Sequence, residues 1–277
     1  MRTSYPRAAA VALAALTAFG SWAQTPVGEI KGSAWEHTAE SSRLALENAL
    51  LALPGQATGG AVFTGRLSGA PKDTRAKVPV VLFLHGSSGL GLAAIAEWQA
   101  WLAGLGIASV APDSMTLPQR LTYKSPIDKA SYEKVHALRA SEVGIALAAL
   151  RTLPWVDPAR IVLAGTSEGG VPVARDPGAW AGRMIFSWSC EDNYFVEQHR
   201  TAPIAEPVLN VMSATDVFFS PSNAWLGNAQ AKGHCSAALK DHKAATIVLI
   251  PGAPHTLLNL PQARQAARSW LLELLKR

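Results

Sequence analysis

The sequence predicts an α/β protein built on a doubly wound, mostly parallel sheet, and two patterns carry that prediction. Short, largely apolar runs at 78–84, 161–164, 207–212 and 246–250 read as strands buried on both faces. Segments long enough for covering helices lie between the earlier runs, so strand and helix alternate as parallel crossovers require. The runs end in loops rich in Gly, Ser, Asp or His, and ligands of such sheets bind at the carboxyl ends of the strands.

The elements follow in order. Residues 24–60 are polar and irregular except for 40–53, where Leu44, Leu46, Ala49, Leu50 and Leu53 form one face of a helix. An early strand at 61–67 and a Gly/Pro/charged loop at 68–77 precede the strand 78–84, which ends in His85-Gly86-Ser87-Ser88-Gly89. A helix at 92–105 leads to a strand at 106–111, with Asp113 as a strand-end hydrogen-bond acceptor. A long helix at 131–153 then returns the chain to 161–164. The next strands are 184–187, 207–212 and 246–250, and an amphipathic helix at 261–276 closes the chain. Only about 20 residues separate the strands at 184–187 and 207–212, which leaves no space for a large lid domain there.

Residues 1–23 have Arg2 and Arg7, an apolar stretch at 8–19 and then Ser21-Trp22-Ala23, the pattern of a secretory signal peptide cleaved after Ala23. The stretch is shorter than the roughly 20 residues a membrane span needs, so the expectation is an exported protein with no membrane span in the mature chain. Residues 24–277 then form one α/β domain, whose core the 49% hydrophobic content supplies. Arg2 and Arg7 account for two units of the formal net charge of +5, and the other basic residues are scattered, which argues against nucleic acid as a partner. Cys190 and Cys235 make an even count for an oxidising compartment, as one disulfide or as two separate buried thiols.

The run Ile161–Ala164 turns at once into Gly165-Thr166-Ser167-Glu168-Gly169, a G-x-S-x-G pattern. In that turn the serine is strained and projects from the sheet edge, while the glycines leave room for the chain to reverse. Ser167, Asp216 and His255 occur in the order expected of nucleophile, acid and base in this architecture. Serine is a weak nucleophile, so His255 must take its proton and Asp216 must orient the imidazole, with Glu191 and Asp192 as rival acids. One oxyanion donor is the backbone N–H of Glu168, whose side chain is expected to face solvent as a charge at a helix N-terminus. His199, His234 and His242 lack metal-ligand spacing and are expected at the surface, and neither metal nor other cofactor is required. Residues 186–225 hold seven aromatics, which nominates Trp188, Phe218 and Phe219, together with His85, for an apolar or aromatic substrate pocket. His85 is also expected to brace the loop that follows it.

HGSSG at 85–89, APDS at 111–114, VDPAR at 156–160 leading into GTSEGG, SATD at 213–216 and PGAPH at 251–255 give residues 60–275 a resemblance to the α/β-hydrolase fold. More narrowly, the chain resembles its dienelactone-hydrolase-related branch. The resemblance implies a second oxyanion donor at the backbone N–H of Ser87. The namesake enzymes use a cysteine where this chain has Ser167, so the resemblance points to the serine esterases of that branch. The function it implies is an exported serine carboxylic-ester hydrolase, acting without a cofactor on an apolar or aromatic ester that is either a small molecule or a polymer. Alternatives are a peptidase of the same fold and a binding protein that has lost activity.

Overall fold

A computed structural model describes residues 26–201 and 205–276, so the expected signal peptide at 1–23 lies outside the described residues. The chain runs β1 (Glu29–Lys31), α1 (Ala39–Glu47), β2 (Leu50–Leu53), α2 (Gly55–Thr58), β3 (Phe63–Arg66), β4 (Val78–Leu84), α3 (Ala93–Gly104) and β5 (Ala108–Ala111). It continues through β6 (Thr122–Lys124), α4 (Lys129–Leu150), β7 (Val156–Thr166), α5 (Gly170–Arg175), β8 (Gly182–Phe186), β9 (Val208–Ser213), β10 (Ala245–Ile250) and α6 (Pro261–Leu275).

Eight strands form one sheet in the order β10-β9-β8-β7-β4-β5-β2-β3. The six from β10 to β5 are parallel, and β2 runs antiparallel to both its neighbours. Val81, Phe83, Val162 and Ala164 pack with α3 and α6 on one face, and Val80, Leu82, Leu84 and Leu163 pack with α4 and α5 on the other. From β4 the chain passes outward to β5, then returns through α4 to β7 on the opposite side of β4. The loops after β4 and β7 therefore diverge at the point where the winding reverses, which is where such sheets open a crevice.

The N-terminal part differs from the sequence expectation. The helix expected over 40–53 stops at Glu47, and residues 50–53 form β2, paired with β5 and β3. Leu51, Ala52 and Leu53 are all buried, and a four-residue run apolar on both faces fills a sheet position better than a one-sided helix. The segment before it is less irregular than expected, because β1 pairs antiparallel with β6 and lays the N-terminal chain beside the site.

The link from β8 to β9 carries no helix or strand among the described residues, so no lid domain is inserted there. Cys190 in that link is disulfide-bonded to Cys235, in the link from β9 to β10. Asn210, a buried polar residue in the middle of β9, is fully engaged: its carboxamide donates to Ile185 O and Trp188 O and accepts from Cys235 N–H. No helix among the described residues is long and apolar enough to cross a membrane.

The bridge closes a sequence separation of 45 residues, worth about 4 kcal/mol in the chain-entropy account. Reduction should lower the thermal midpoint by roughly 8–16 °C. Calorimetry with and without a phosphine reductant measures this, and two free thiols in the unreduced protein would rule it out.

Candidate active site

Strand β7 delivers the elbow. Ser167 follows Thr166 with φ of 55°, left-handed backbone that costs a non-glycine residue about 1–2 kcal/mol. The reversal needs bare backbone on both sides: a Cβ at Gly165 would stand 2.3 Å from Gly169 O, and one at Gly169 would stand 2.2 Å from Leu84 O. The turn places Ser167 Oγ 2.9 Å from His255 Nε2, and His255 Nδ1 lies 2.7 Å from Asp216 Oδ2. A carboxylate only accepts, so Nδ1 carries the ring proton and Nε2 is left to accept from the serine hydroxyl.

Both partners of the serine are held. Buried Asp216 also accepts from the N–H groups of Phe218 (2.9 Å) and Phe219 (3.0 Å) through Oδ1, which aims Oδ2 at the imidazole. Two hydroxyls missed by the sequence reading fix the histidine loop: Ser187 Oγ donates to His255 O and Ser213 Oγ to Ala253 O, each at 2.6 Å. The rival acids are engaged elsewhere, since Glu191 accepts from the N–H groups of Lys232 and Gly233 and Asp192 from His199 N–H.

A cavity of about 280 Å³ opens over this relay, and exposed Ser87 lines it together with Ser167 and His255. Ile95 and Leu258 bring one wall from the apolar core on the α3 side of the sheet. Phe195, Phe219, Tyr194 and Phe218 form the other wall, continuous with the core on the α4 side, and Phe218 packs against the His255 ring at 4.7 Å. Phe218 and Phe219 thus lie where expected, but His85 and Trp188 do not line the cavity. Trp188 is fully buried and stands edge-on behind Phe219, 4.9 Å away. His85 is fully buried as well: its Nδ1–H donates to Gly86 O and its Nε2 accepts from Ser114 N–H, so it braces the loop carrying Ser87.

The largest departure from expectation is Glu168. Its side chain is fully buried rather than solvent-facing, because two arginines reach it from beneath. Arg120 pairs with it at 2.7 Å, Arg139 Nε lies 3.5 Å away, and Tyr123 OH donates to it at 2.9 Å. Arg139 also pairs with buried Glu142 and donates to His85 O, and Glu142 in turn meets His37 at 3.1 Å. A signal for this cluster was present in the sequence: Tyr132, Val135, Arg139, Val143 and Ala146 share one buried stripe of α4 with His136 and Glu142 at its flanks, so an arginine sits on the apolar face with a glutamate three residues on. His199, His234 and His242 are half-buried, with His199 against the Trp188 ring.

Burial by itself would raise the Glu168 carboxyl, but Arg120 and Arg139 outweigh it and hold it below the ordinary carboxylate range. Burial pushes His136 down to about 4, and burial together with Arg139 holds His85 well below the usual imidazole range. Both are neutral when folded, while the unfolded chain takes up protons near about 6.5. Stability is therefore complete above that pH and falls as pH drops toward 4, by on the order of 1 kcal/mol per pH unit for each histidine. Thermal midpoints measured from pH 7 to 5 should decline, and His136→Gln, which can still donate to Phe195 O, should make the decline shallower. Glu168→Gln should cost about 3–5 kcal/mol by stranding Arg120, as read by denaturant unfolding.

No protein-family model matches the chain, and no curated protein matches it. Solved structures do. Protein TT1662 of Thermus thermophilus superposes with a TM-score of 0.53 at 17% identity, covering 82% of this chain and 99% of that one. A dienelactone hydrolase-like promiscuous phosphotriesterase from metagenomic libraries gives 0.52 at 17%, covering 82% and 97%. Est1E of Butyrivibrio proteoclasticus gives 0.50 at 18%, covering 83% and 94%. At these identities the likeness is one of fold, and with the sheet order and crossovers described above it gives the chain the α/β-hydrolase fold.

Proposed function

We propose that the protein is an exported serine hydrolase that cleaves carboxylic esters through an acyl-enzyme on Ser167. The observation that carries the reading is the unbroken relay Asp216–His255–Ser167, with contacts of 2.7 and 2.9 Å, on a strained turn at the floor of an apolar cavity. His255 Nε2 takes the proton of Ser167 as Oγ bonds to the ester carbonyl carbon, and Asp216 stabilises the imidazolium. The carbonyl oxygen becomes an oxyanion, for which the backbone N–H groups of Ser87 and Glu168 are the donors. Collapse expels the alcohol, which takes the proton from His255. A water molecule, deprotonated by the same nitrogen, then releases the acid and restores the serine.

Two further features favour this reading. Among the described residues, the link from β8 to β9 carries no helix or strand, and so none of the additional substrate-recognition domain that a peptidase of this fold would carry. A structural neighbour is named a dienelactone hydrolase-like promiscuous phosphotriesterase, so the fold carries hydrolytic chemistry. Export is supported by the signal-like pattern of residues 1–23 and by the Cys190–Cys235 bridge, which persists in oxidising compartments.

A fluorophosphonate probe should label the protein and fail on Ser167→Ala. Asp216→Asn should keep the fold but lower kcat by up to roughly 10⁴, since the amide favours the wrong histidine tautomer. Asp192→Asn and Glu191→Gln should each lower kcat far less than Asp216→Asn, since both carboxylates are engaged with backbone N–H groups away from His255. Near-full activity in Asp216→Asn would remove it from the relay.

A further inference from the structure

We propose that the cavity selects neutral esters and turns away esters that carry a carboxylate or another anion, because the arginines beneath its wall are already committed to buried carboxylates. The proposal rests on the reading of Ser167 as an ester-cleaving nucleophile and narrows its substrate class.

Among the described residues, no Lys, Arg, Asp or Glu side chain lines the cavity. Besides His255, the polar side chains offered to a substrate are hydroxyls, among them those of Ser88, Ser125 and Thr256. These hydrogen-bond a neutral oxygen but do not balance a charge. Arg120 and Arg139 come close in the fold, yet their side chains are at most 3% exposed. Arg120 is held by Glu168, Ser114 Oγ and Leu121 O, and Arg139 by Glu142, Glu168 and His85 O. Two arginines against two glutamates leave no excess positive charge to attract an anion.

The wall itself works in the same direction. Tyr123 lines the cavity and donates its only hydroxyl proton backwards, to Glu168. A carboxylate therefore sits one hydrogen bond behind the aromatic wall, and the phenol that covers it has no proton left for a substrate anion. At about 280 Å³ the space is at or below the small end of ordinary ligand pockets, so a charged group close to the ester bond is brought against this wall without a partner.

Two matched pairs test the proposal with the purified protein. 4-Nitrophenyl butyrate and the mono-4-nitrophenyl ester of succinate differ by a carboxylate in place of a methyl group on the acyl side. Phenyl acetate and 4-acetoxybenzoate differ by a carboxylate on the alcohol side, and methyl 4-acetoxybenzoate restores neutrality at larger size. The charged member of each pair should show kcat/KM at least about 30-fold lower, as expected for a desolvated anion without a partner, and the methyl ester should recover most of the loss. Leu92→Arg, at a half-exposed site on the cavity rim, or Ser125→Arg, on the aromatic side, should narrow the gap at least about tenfold in one of the pairs. A gap below about 30-fold in either pair for the unmodified protein overturns the proposal. Absence of all cleavage together with absence of fluorophosphonate labelling overturns both the proposal and the esterase reading beneath it.

Discussion

The buried carboxylate of Glu168 is the constraint on which the site depends. It belongs to the residue after the nucleophile, and through it the elbow is tied to Arg120, to Tyr123 of β6 and to Arg139 of α4. Arg139 extends the tie to the carbonyl of His85, and Glu142 extends it to His37 ahead of α1. Burying such charges costs nearly as much as their attraction returns, so the network adds little to net stability. What it does is fix position, because displacing any member leaves a charge in the interior unpaired. The two loops that carry the proposed oxyanion donors, after β4 and β7, are thereby held to the same set of ions.

Backbone strain is concentrated around these supports. Four non-glycine residues among those described have left-handed φ: Gln119, Ser167, Ser187 and Cys190. Ser167 is the proposed nucleophile, and Ser187 donates to the carbonyl of His255. Cys190 enters the disulfide, while Gln119 precedes Arg120 and accepts with its carbonyl from Ser33 and Ala34. Each such conformation costs on the order of 1–2 kcal/mol. Each persists because a side-chain or backbone contact at the same residue or its neighbour over-determines it, and all four serve the placement of the serine, its base or the ions below.

What was legible in the sequence follows from how local the signal is. The parallel strands are continuous apolar runs, so β4, β9, β10 and the 161–164 centre of β7, with the loops that follow them, could be placed from the sequence, while the extension of β7 back to Val156 could not. Residues 50–53 could not, because LLAL suits a helix end and a strand equally, and only the pairing with β5 and β3 decides. The burial of Glu168 was misread for a related reason. A carboxylate in the first turn of a helix has a good local explanation, and the arginines that overrule it come from positions 120 and 139, distant in sequence. His85 and Trp188 were placed correctly at strand ends, but one layer too near the substrate, since proximity along the chain says nothing about which ring is in front.

The turn after β9 joins the proposed relay and the cavity wall into a single piece of structure. Asp216 accepts from the N–H groups of Phe218 and Phe219 with one oxygen and from His255 with the other, and the rings of those two phenylalanines form part of the cavity wall. The backbone geometry that aims the carboxylate at the imidazole is thus the geometry that sets the rings on the cavity wall. Phe218 also packs on the His255 ring itself, so the wall limits how far the base can turn. Reshaping this wall by insertion or deletion within 216–219 would move the acid, whereas changing the side chains at 218 and 219 leaves both N–H donors in place. The shape of the wall can therefore change through side chains on a fixed turn, while the turn's length is held by the placement of Asp216.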